Sequence, residues 1–344
     1  MPKNKIWGLD VLRILAAFGV MCYHYFFIGV IQGFYSWDVF CPVAYWGEMG
    51  VDIFFLISGF VILMSTTGRS KKAFIKSRMK RIYPPLVICS IFTLICDSIM
   101  PDMKIKDLIM AWISSITFAG AFGGNVLSSI YWTLMVEIKF YILVTLFLNT
   151  EALNKHINIL MFIWLGISFL NTYWLKNTYL EILLNTKYAG HFCLGMICYL
   201  AYTGKRQNGM VLNIAISVWL IYLNIIGYTG WIRSIYDLGY SDIEIFLGLI
   251  LLLSLFAWSI LQVDINDKLK KHIKQFAGIS YVFYLMHADL AYFIRTQYYY
   301  RIIKIFPILN RYINEYIIML FAVCIAVCAA YIMNKLITCI SKAL

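Results

Sequence analysis

Residues 9–27 have the sequence LDVLRILAAFGVMCYHYFF, an apolar run of spanning length that nevertheless carries Asp10, Arg13 and His24. A transmembrane helix takes roughly 20 mostly apolar residues. The segment 107–119 is too short to cross, and we expect it to lie at an interface or to re-enter. Stretches of spanning length occur near 8–31, 46–66, 83–100, 130–149, 157–175, 187–203, 210–228, 242–263, 278–297 and 314–337. The sequence therefore predicts an all-α polytopic membrane protein with a bundle of about ten transmembrane helices.

The overall composition supports the same fold class. Of the 344 residues, 62% are hydrophobic and 13% are charged, against ~45–50% and ~25% in soluble domains. About ten spans of roughly 20 residues leave no room for a large soluble domain. Residues 1–344 are therefore predicted to form a single transmembrane domain. The first apolar run has no small-residue cleavage pattern, so we expect a span rather than a cleaved signal.

The distribution of charges and cysteines disfavours other classes of protein. The net charge is +12, but Lys and Arg are concentrated in segments such as 69–81 and 268–274. An orientation with both termini in the cytoplasm puts these segments inside, as the positive-inside rule requires. We therefore expect an N-in and C-in topology and no nucleic-acid partner. The nine cysteines include no C-x-x-C pair, so neither a metal site nor a disulfide scaffold is indicated.

Ionisable side chains inside predicted spans are costly and mark candidate functional sites. At ~1.5 Å per residue, His24, Asp52 and Glu137 all lie about 10 Å below the outer surface, with His191 slightly above them. Hydrogen bonding between helices is the structural alternative for each of these groups. We expect Lys139, on another face than Glu137, to be structural. The remaining ionisable residues within the spans are Asp10, Arg13, His287, Asp289 and Arg295.

Arg13 and His24 are eleven residues apart on the first span. Eleven residues make almost three helical turns, so both side chains point the same way, ~16 Å apart along the axis. They are therefore predicted to line one channel, with Arg13 toward the cytoplasm. The alternative for Arg13 is an ion pair with Asp10, three residues earlier on the same helix.

A basic run, GRSKKAFIKSRMKRIYPP, occupies residues 68–85 on the predicted cytoplasmic side. Arg78 and Arg81 share a helical face just before Pro84, where we expect the third span to open. Two guanidinium groups at this spacing suit phosphate oxygens. The alternative is an ordinary positive-inside loop or a contact with anionic lipid.

Five stretches together resemble the acyltransferase-3 family of integral membrane acyltransferases. The first span, with an Arg and a His eleven residues apart, resembles the opening segment of that family. The others follow in the expected order: GVDIFFLISGF (50–60), RMKRIYPP (78–85), YWTLMVEIKFY (131–141) and SYVFYLMH (280–287). The chain is most similar to stand-alone members, and after His287 it offers no further motif.

The resemblance implies an activity and a set of site residues. Members typically transfer an acetyl group from cytosolic acetyl-CoA, a substrate rather than a bound cofactor, to a hydroxyl of an extracytoplasmic glycan or glycolipid. The chain is therefore expected in the cytoplasmic (inner) membrane. His24 would be the catalytic residue with Arg13 and Glu137 as partners, no metal is expected, and Arg78, Arg81 and Tyr83 would bind the donor. Further residues expected to line the site are Asp52, Ser58, Trp132, His191, Tyr281 and His287.

Two chemical roles for His24 and a second function remain open. His24 is either the general base that activates the acceptor hydroxyl or a nucleophile that carries the acetyl group covalently. In the first case Glu137 would orient His24 and stabilise its imidazolium form. The alternative function is an exporter or transporter of polysaccharides or small molecules that uses the same polar residues as a proton relay.

Overall fold

The computed structural model describes residues 5–100, 104–148, 155–205, 207–261, 265–306, 308 and 314–343. Within these residues all regular structure is helical and no strand is present, which confirms the predicted all-α class. The helices are α1 Trp7–Tyr23, α2 Met49–Thr66, α3 Lys71–Ser98, α4 Ile105–Ile116, α5 Trp132–Phe147, α6 Ile157–Leu170, α7 Thr178–Leu184, α8 Ala189–Tyr202, α9 Met210–Tyr236, α10 Asp242–Ile260, α11 Asp267–Gln297 and α12 Glu315–Ala343.

Among the described residues, nine helical stretches are long and apolar enough to cross a membrane. They correspond to nine of the predicted spans, so the chain is a multi-pass membrane protein. The segment 187–203, the remaining predicted span, is helical as well, because a 3₁₀ turn at Thr186–Tyr188 leads directly into α8. Most side chains of α8 are buried within the protein.

The basic run before the third span is helical, which corrects the expected boundary at Pro84. Helix α3 begins at Lys71 and continues through Pro84 and Pro85 to Ser98. Proline removes a backbone donor and normally breaks a helix interior, which is why the sequence pattern suggested a start there. Prolines are tolerated in membrane helices when neighbouring groups satisfy the freed carbonyls. Arg78 and Arg81 therefore belong to the same helix as the span.

The chain forms two compact units, each built from segments distant in sequence. The first unit comprises Met1–Leu12, Val51–Ser77 and Met135–Asp264. Within it, α2 and α8 approach at backbone contact. A Cβ atom on Gly195 would lie 2.1 Å from the carbonyl oxygen of Leu56, so only glycine permits this approach.

The second unit comprises Arg13–Gly50, Arg78–Leu134 and Ile265–Leu344. Its two C-terminal helices, α11 and α12, are joined by an ion pair. Arg295 Nη2 lies 2.9 Å from Glu315 Oε1, and Arg295 Nε donates to the same oxygen at 3.1 Å. The Glu315 carboxylate is buried, so this pair gives Arg295, one of the ionisable residues of the predicted spans, a structural role.

Candidate active site

His24 lies at the first position of a π-helical turn. Helix α1 ends at Tyr23, and residues His24–Ile28 form the wider turn, which closes where the Gly29 N–H donates to the His24 carbonyl. Such turns inside α-helices are frequent at functional sites. The turn changes the direction of the backbone at His24, the residue that the sequence identified as the candidate base or nucleophile.

Glycine at position 29 makes this turn possible. A Cβ atom there would lie 2.4 Å from the His24 carbonyl oxygen and 2.6 Å from the Tyr35 ring. Tyr35 is itself buried, and this burial raises the pKa of its phenol, so the ring packs on the turn as a neutral group.

A second histidine stands beside His24 in the same unit. The rings of His24 and His287 have centroids 5.2 Å apart and an interplanar angle of 66°. His24 is half-buried, whereas His287 is fully buried at 0% exposure. The structure thus brings together two sequence-predicted residues that lie on different helices.

The tautomer of His287 follows from its contacts. Its Nδ1 lies 2.9 Å from the Tyr284 carbonyl oxygen, which can only accept a hydrogen bond, so Nδ1 carries the hydrogen. Its Nε2 atom is buried and has no hydrogen-bond partner among the residues that the structure describes. A protonated Nε2 would be a buried, unpaired and charged donor, which is costly. His287 is therefore neutral, with a free lone pair on Nε2.

Two further hydrogen bonds hold this part of α11 in place. The Tyr25 hydroxyl donates to the His287 carbonyl at 2.8 Å. The Tyr284 hydroxyl lies 3.0 Å from Thr133 Oγ1, and Thr133 already donates to the Ile130 carbonyl at 3.0 Å. Tyr284 is therefore the donor to Thr133. Both tyrosine hydroxyls are committed to these partners.

Asp289 follows two residues later on α11 and contacts α3. The Thr93 hydroxyl donates to its carboxylate at 3.5 Å. The sequence singled out Asp289 as an ionisable residue near the end of a span, and the structure gives it a hydroxyl partner on a neighbouring helix.

Glu137 belongs to the first unit and has two hydroxyl donors. Ser58 donates to Oε1 of Glu137 at 3.0 Å, and the Tyr141 hydroxyl donates to the same oxygen. Ser58 was a predicted site residue. Tyr141 was not predicted, although it lies one helical turn after Glu137, a spacing that places both on one face.

Asp52 and His191 form a buried pair in the first unit. His191 Nε2 lies 2.9 Å from Asp52 Oδ1, and both side chains are almost fully covered. The Phe55 and Tyr188 rings both pack against His191, and the centroids of these two rings are 4.8 Å from each other. The depth argument placed Asp52 and His191 at similar levels, and the structure shows that they are in contact.

The predicted donor-binding residues differ in exposure. Arg78 is buried at 8% exposure, whereas Tyr83 is 40% exposed and Arg81 is also exposed. All three lie on the part of α3 that belongs to the second unit.

The other predicted residues are placed as follows. Arg13 is half-buried on α1, and Asp10 forms an ion pair with Lys5 at 2.5 Å, so Asp10 has a cationic partner besides the one proposed from the sequence. Tyr281 is half-buried on α11, and Trp132 is exposed at the start of α5. In the described part of the chain, no three His, Cys, Asp or Glu residues are grouped so that they could hold a metal ion.

The fold and these clusters define a polytopic helical membrane protein with paired polar residues inside its spans. Residues 6–335 match the family model described as an acyltransferase domain, Acyl_transf_3. The chain belongs to this acyltransferase-3 family, which confirms the resemblance seen in the motifs and makes the protein a membrane acyltransferase. The match also extends beyond His287, where no motif was recognised. No curated protein and no solved structure matches the chain.

Proposed function

We propose that the protein is an O-acetyltransferase of the cytoplasmic membrane. It would move the acetyl group of cytosolic acetyl-CoA to a hydroxyl of an extracytoplasmic glycan or glycolipid. The observation that carries the proposal is the half-buried His24 on its π-helical turn, beside a neutral His287, in a chain of the acyltransferase-3 family.

A neutral imidazole suits this reaction. A glycan hydroxyl is a weak nucleophile at neutral pH, and a histidine can remove its proton as attack begins. In the direct route the acceptor oxygen bonds to the acetyl carbon, the carbon–sulfur bond breaks, and the His24 imidazolium returns the proton to the CoA thiolate. In the covalent route the His24 nitrogen bonds to the acetyl carbon, the carbon–sulfur bond breaks, and CoA leaves as the thiolate. The acceptor hydroxyl then attacks the acetyl-imidazolium, the carbon–nitrogen bond breaks to release neutral His24, and the hydroxyl proton goes to the thiolate.

Glu137 is proposed as a second group required for turnover. Ser58 and Tyr141 both donate to its Oε1. These two hydrogen bonds fix the orientation of the carboxylate, and neither of them involves Oε2. Ser58 and Tyr141 are thus positioning residues in the proposal.

The donor would bind at the basic end of α3. Exposed Arg81 is suited to the phosphates of CoA, since one guanidinium group can donate two parallel hydrogen bonds to two phosphate oxygens. Tyr83, also exposed, lies two residues further along. Arg78 is proposed as a second donor contact, and Arg13 as a residue along the route of the pantetheine arm.

The deciding experiment uses purified protein in detergent with radiolabelled acetyl-CoA and an acceptor glycan. We expect acetyl transfer without any membrane gradient, and a loss of at least ~10²-fold in His24→Ala. The matched control is His272→Ala, since His272 is exposed at the start of α11. A His24→Ala variant with parental turnover would contradict the catalytic assignment. Gradient-dependent movement of a glycan without acetyl transfer would favour the exporter.

The acceptor is identified in cells. We expect the surface polysaccharide of a deletion strain to contain less acetyl than that of its parent, with restoration by the parental gene but not by His24→Ala. Equal acetyl content in both strains would contradict a glycan acceptor.

A further inference from the structure

We infer that His287 is a positioning residue that fixes the working tautomer of His24. Its Nε2 lone pair would accept a hydrogen bond from one ring N–H of His24. The other ring nitrogen of His24 would then carry the lone pair that meets the substrate. This inference rests on the proposed function and adds a residue to its mechanism.

His287 is held in one orientation by two hydrogen bonds. Its Nδ1–H is committed to the Tyr284 carbonyl at 2.9 Å, and its own carbonyl accepts from Tyr25 at 2.8 Å. Backbone and ring are both anchored, so the ring cannot turn its nitrogens around without losing a buried hydrogen bond. Nε2 therefore stays an acceptor.

Nε2 of His287 lacks a partner within the described residues although it is fully buried. Leaving a buried acceptor unpaired is costly. The neighbouring hydroxyls do not serve it, because Tyr25 donates to the His287 carbonyl and Tyr284 to Thr133. An acceptor held in this way is suited to a donor that arrives during the reaction.

The ring of His24 lies beside that of His287. The two ring centroids are 5.2 Å apart, a separation that matches two imidazole rings joined by an N–H···N hydrogen bond. Catalytic hydrogen bonds often tighten only in the substrate complex. The Phe283 ring, stacked on His287 at 5.6 Å, covers it on the same helix.

The consequence for the reaction is a division of labour between the two histidines. His24 takes the proton of the acceptor hydroxyl, or the acetyl group, on the nitrogen that faces the substrate. His287 stays neutral throughout and accepts the hydrogen bond from the opposite nitrogen, which becomes a stronger donor when His24 is an imidazolium. No proton needs to reach His287 for the reaction to balance.

Two substitutions separate this role from a merely structural one. In His287→Asn, the amide nitrogen can replace Nδ1 and keep the Tyr284 bond, but nothing replaces Nε2. In His287→Gln, the longer side chain can put its amide oxygen near the Nε2 position. We expect kcat to fall about 10²-fold in the Asn variant with an unchanged KM for acetyl-CoA, and to recover at least about 10-fold of that loss in the Gln variant. Equal kcat in the two variants, at parental level or below it, would overturn the inference.

A measurement on the parent protein keeps the inference testable if either variant fails to fold. We expect ¹⁵N spectra of histidine-labelled protein to show His287 protonated on Nδ1 and bare on Nε2, and a hydrogen on Nε2 would overturn the assignment. His24→Ala distinguishes a failure of this inference from a failure of the proposed function. If His24→Ala is inactive while His287→Asn has parental kcat, only the role of His287 fails. If His24→Ala keeps parental acetyl transfer, the catalytic assignment of His24 fails and the role of His287 with it. If the parent transfers no acetyl group, the proposed function itself fails.

Discussion

The two buried histidines with assigned partners, His287 and His191, have opposite electrostatic environments. His191 presents Nε2 to the Asp52 carboxylate at 2.9 Å. His287 presents a bare Nε2 and has an aromatic wall and a second imidazole beside it. The first arrangement holds α2 and α8 together. The second keeps the ring neutral and leaves a lone pair that can accept a hydrogen bond. The chemical role of a buried histidine therefore depends on the partner of its ring nitrogen more than on its burial.

The largest effect on turnover is expected at His24. If His24 and His287 form the reactive pair, His24→Gln lowers kcat by ~10²- to 10⁴-fold. The thermal unfolding midpoint in detergent should stay nearly unchanged. Turnover with labelled acetyl-CoA and unfolding monitored by intrinsic fluorescence give the two readouts. Unfolding at much lower temperature with parental specific activity would reverse the assignment of roles.

The Asp52–His191 pair should respond in the opposite way. We expect Asp52→Ala to lower the free energy of unfolding by about 3 kcal/mol, because removal of one partner leaves the other buried without compensation. Asp52→Leu combined with His191→Leu should recover part of that loss. If Asp52→Ala instead keeps its stability and loses turnover, this pair belongs to the catalytic machinery.

The hydroxyl donors of Glu137 are expected to show a smaller effect. Tyr141→Phe removes a donor to Oε1 while it preserves the ring. We expect kcat to fall about 10-fold, or ~1.4 kcal/mol, which is close to the lower end of the ~1.5–3 kcal/mol of a hydrogen bond to a charged group. Ser58→Ala is the matched variant, because Ser58 donates to the same oxygen, and we expect a similar fall in kcat. Parental kcat in both would remove these residues from the positioning role.

The smallest effect is expected at the donor end. Arg81→Ala should raise the KM for acetyl-CoA several-fold at unchanged kcat, because a distant phosphate contact contributes equally to ground state and transition state. The difference from the parent should shrink at high salt as exposed charges are screened. Lys80→Ala, an exposed neighbour, is the control. An unchanged KM in Arg81→Ala would mean that Arg81 does not bind the donor. The basic run would then only set the orientation of the chain in the membrane.

Apolar run length and ionisable residues predicted much of this molecule. The long spans, the short segment around α4 and the similar depth of Asp52 and His191 followed from hydropathy and from the rise of a helix. The contact between Ser58 and Glu137 was not predicted as such, but both residues were singled out. These features depend on residue type and spacing along one helix, which a single sequence contains.

Other features depend on contacts between distant segments, which spacing does not reveal. The continuation of α3 through Pro84 was missed because the local cost of proline was weighed without its neighbours. Glu315, the partner of Arg295, lies twenty residues away on the next helix, so no local pattern indicated it.

The π-helical turn at His24 makes the length of the first span as important as its composition. A wide turn holds one residue more than an α-helical turn, so it absorbs that residue without changing the faces of the helix beyond it. If residues 24–28 became α-helical with none removed, everything beyond them would rotate by about 100°. Gly29 would then lose its packing against Tyr35. Activity should therefore tolerate many apolar substitutions in this span, but not one that converts the π-helical turn into an α-helical one.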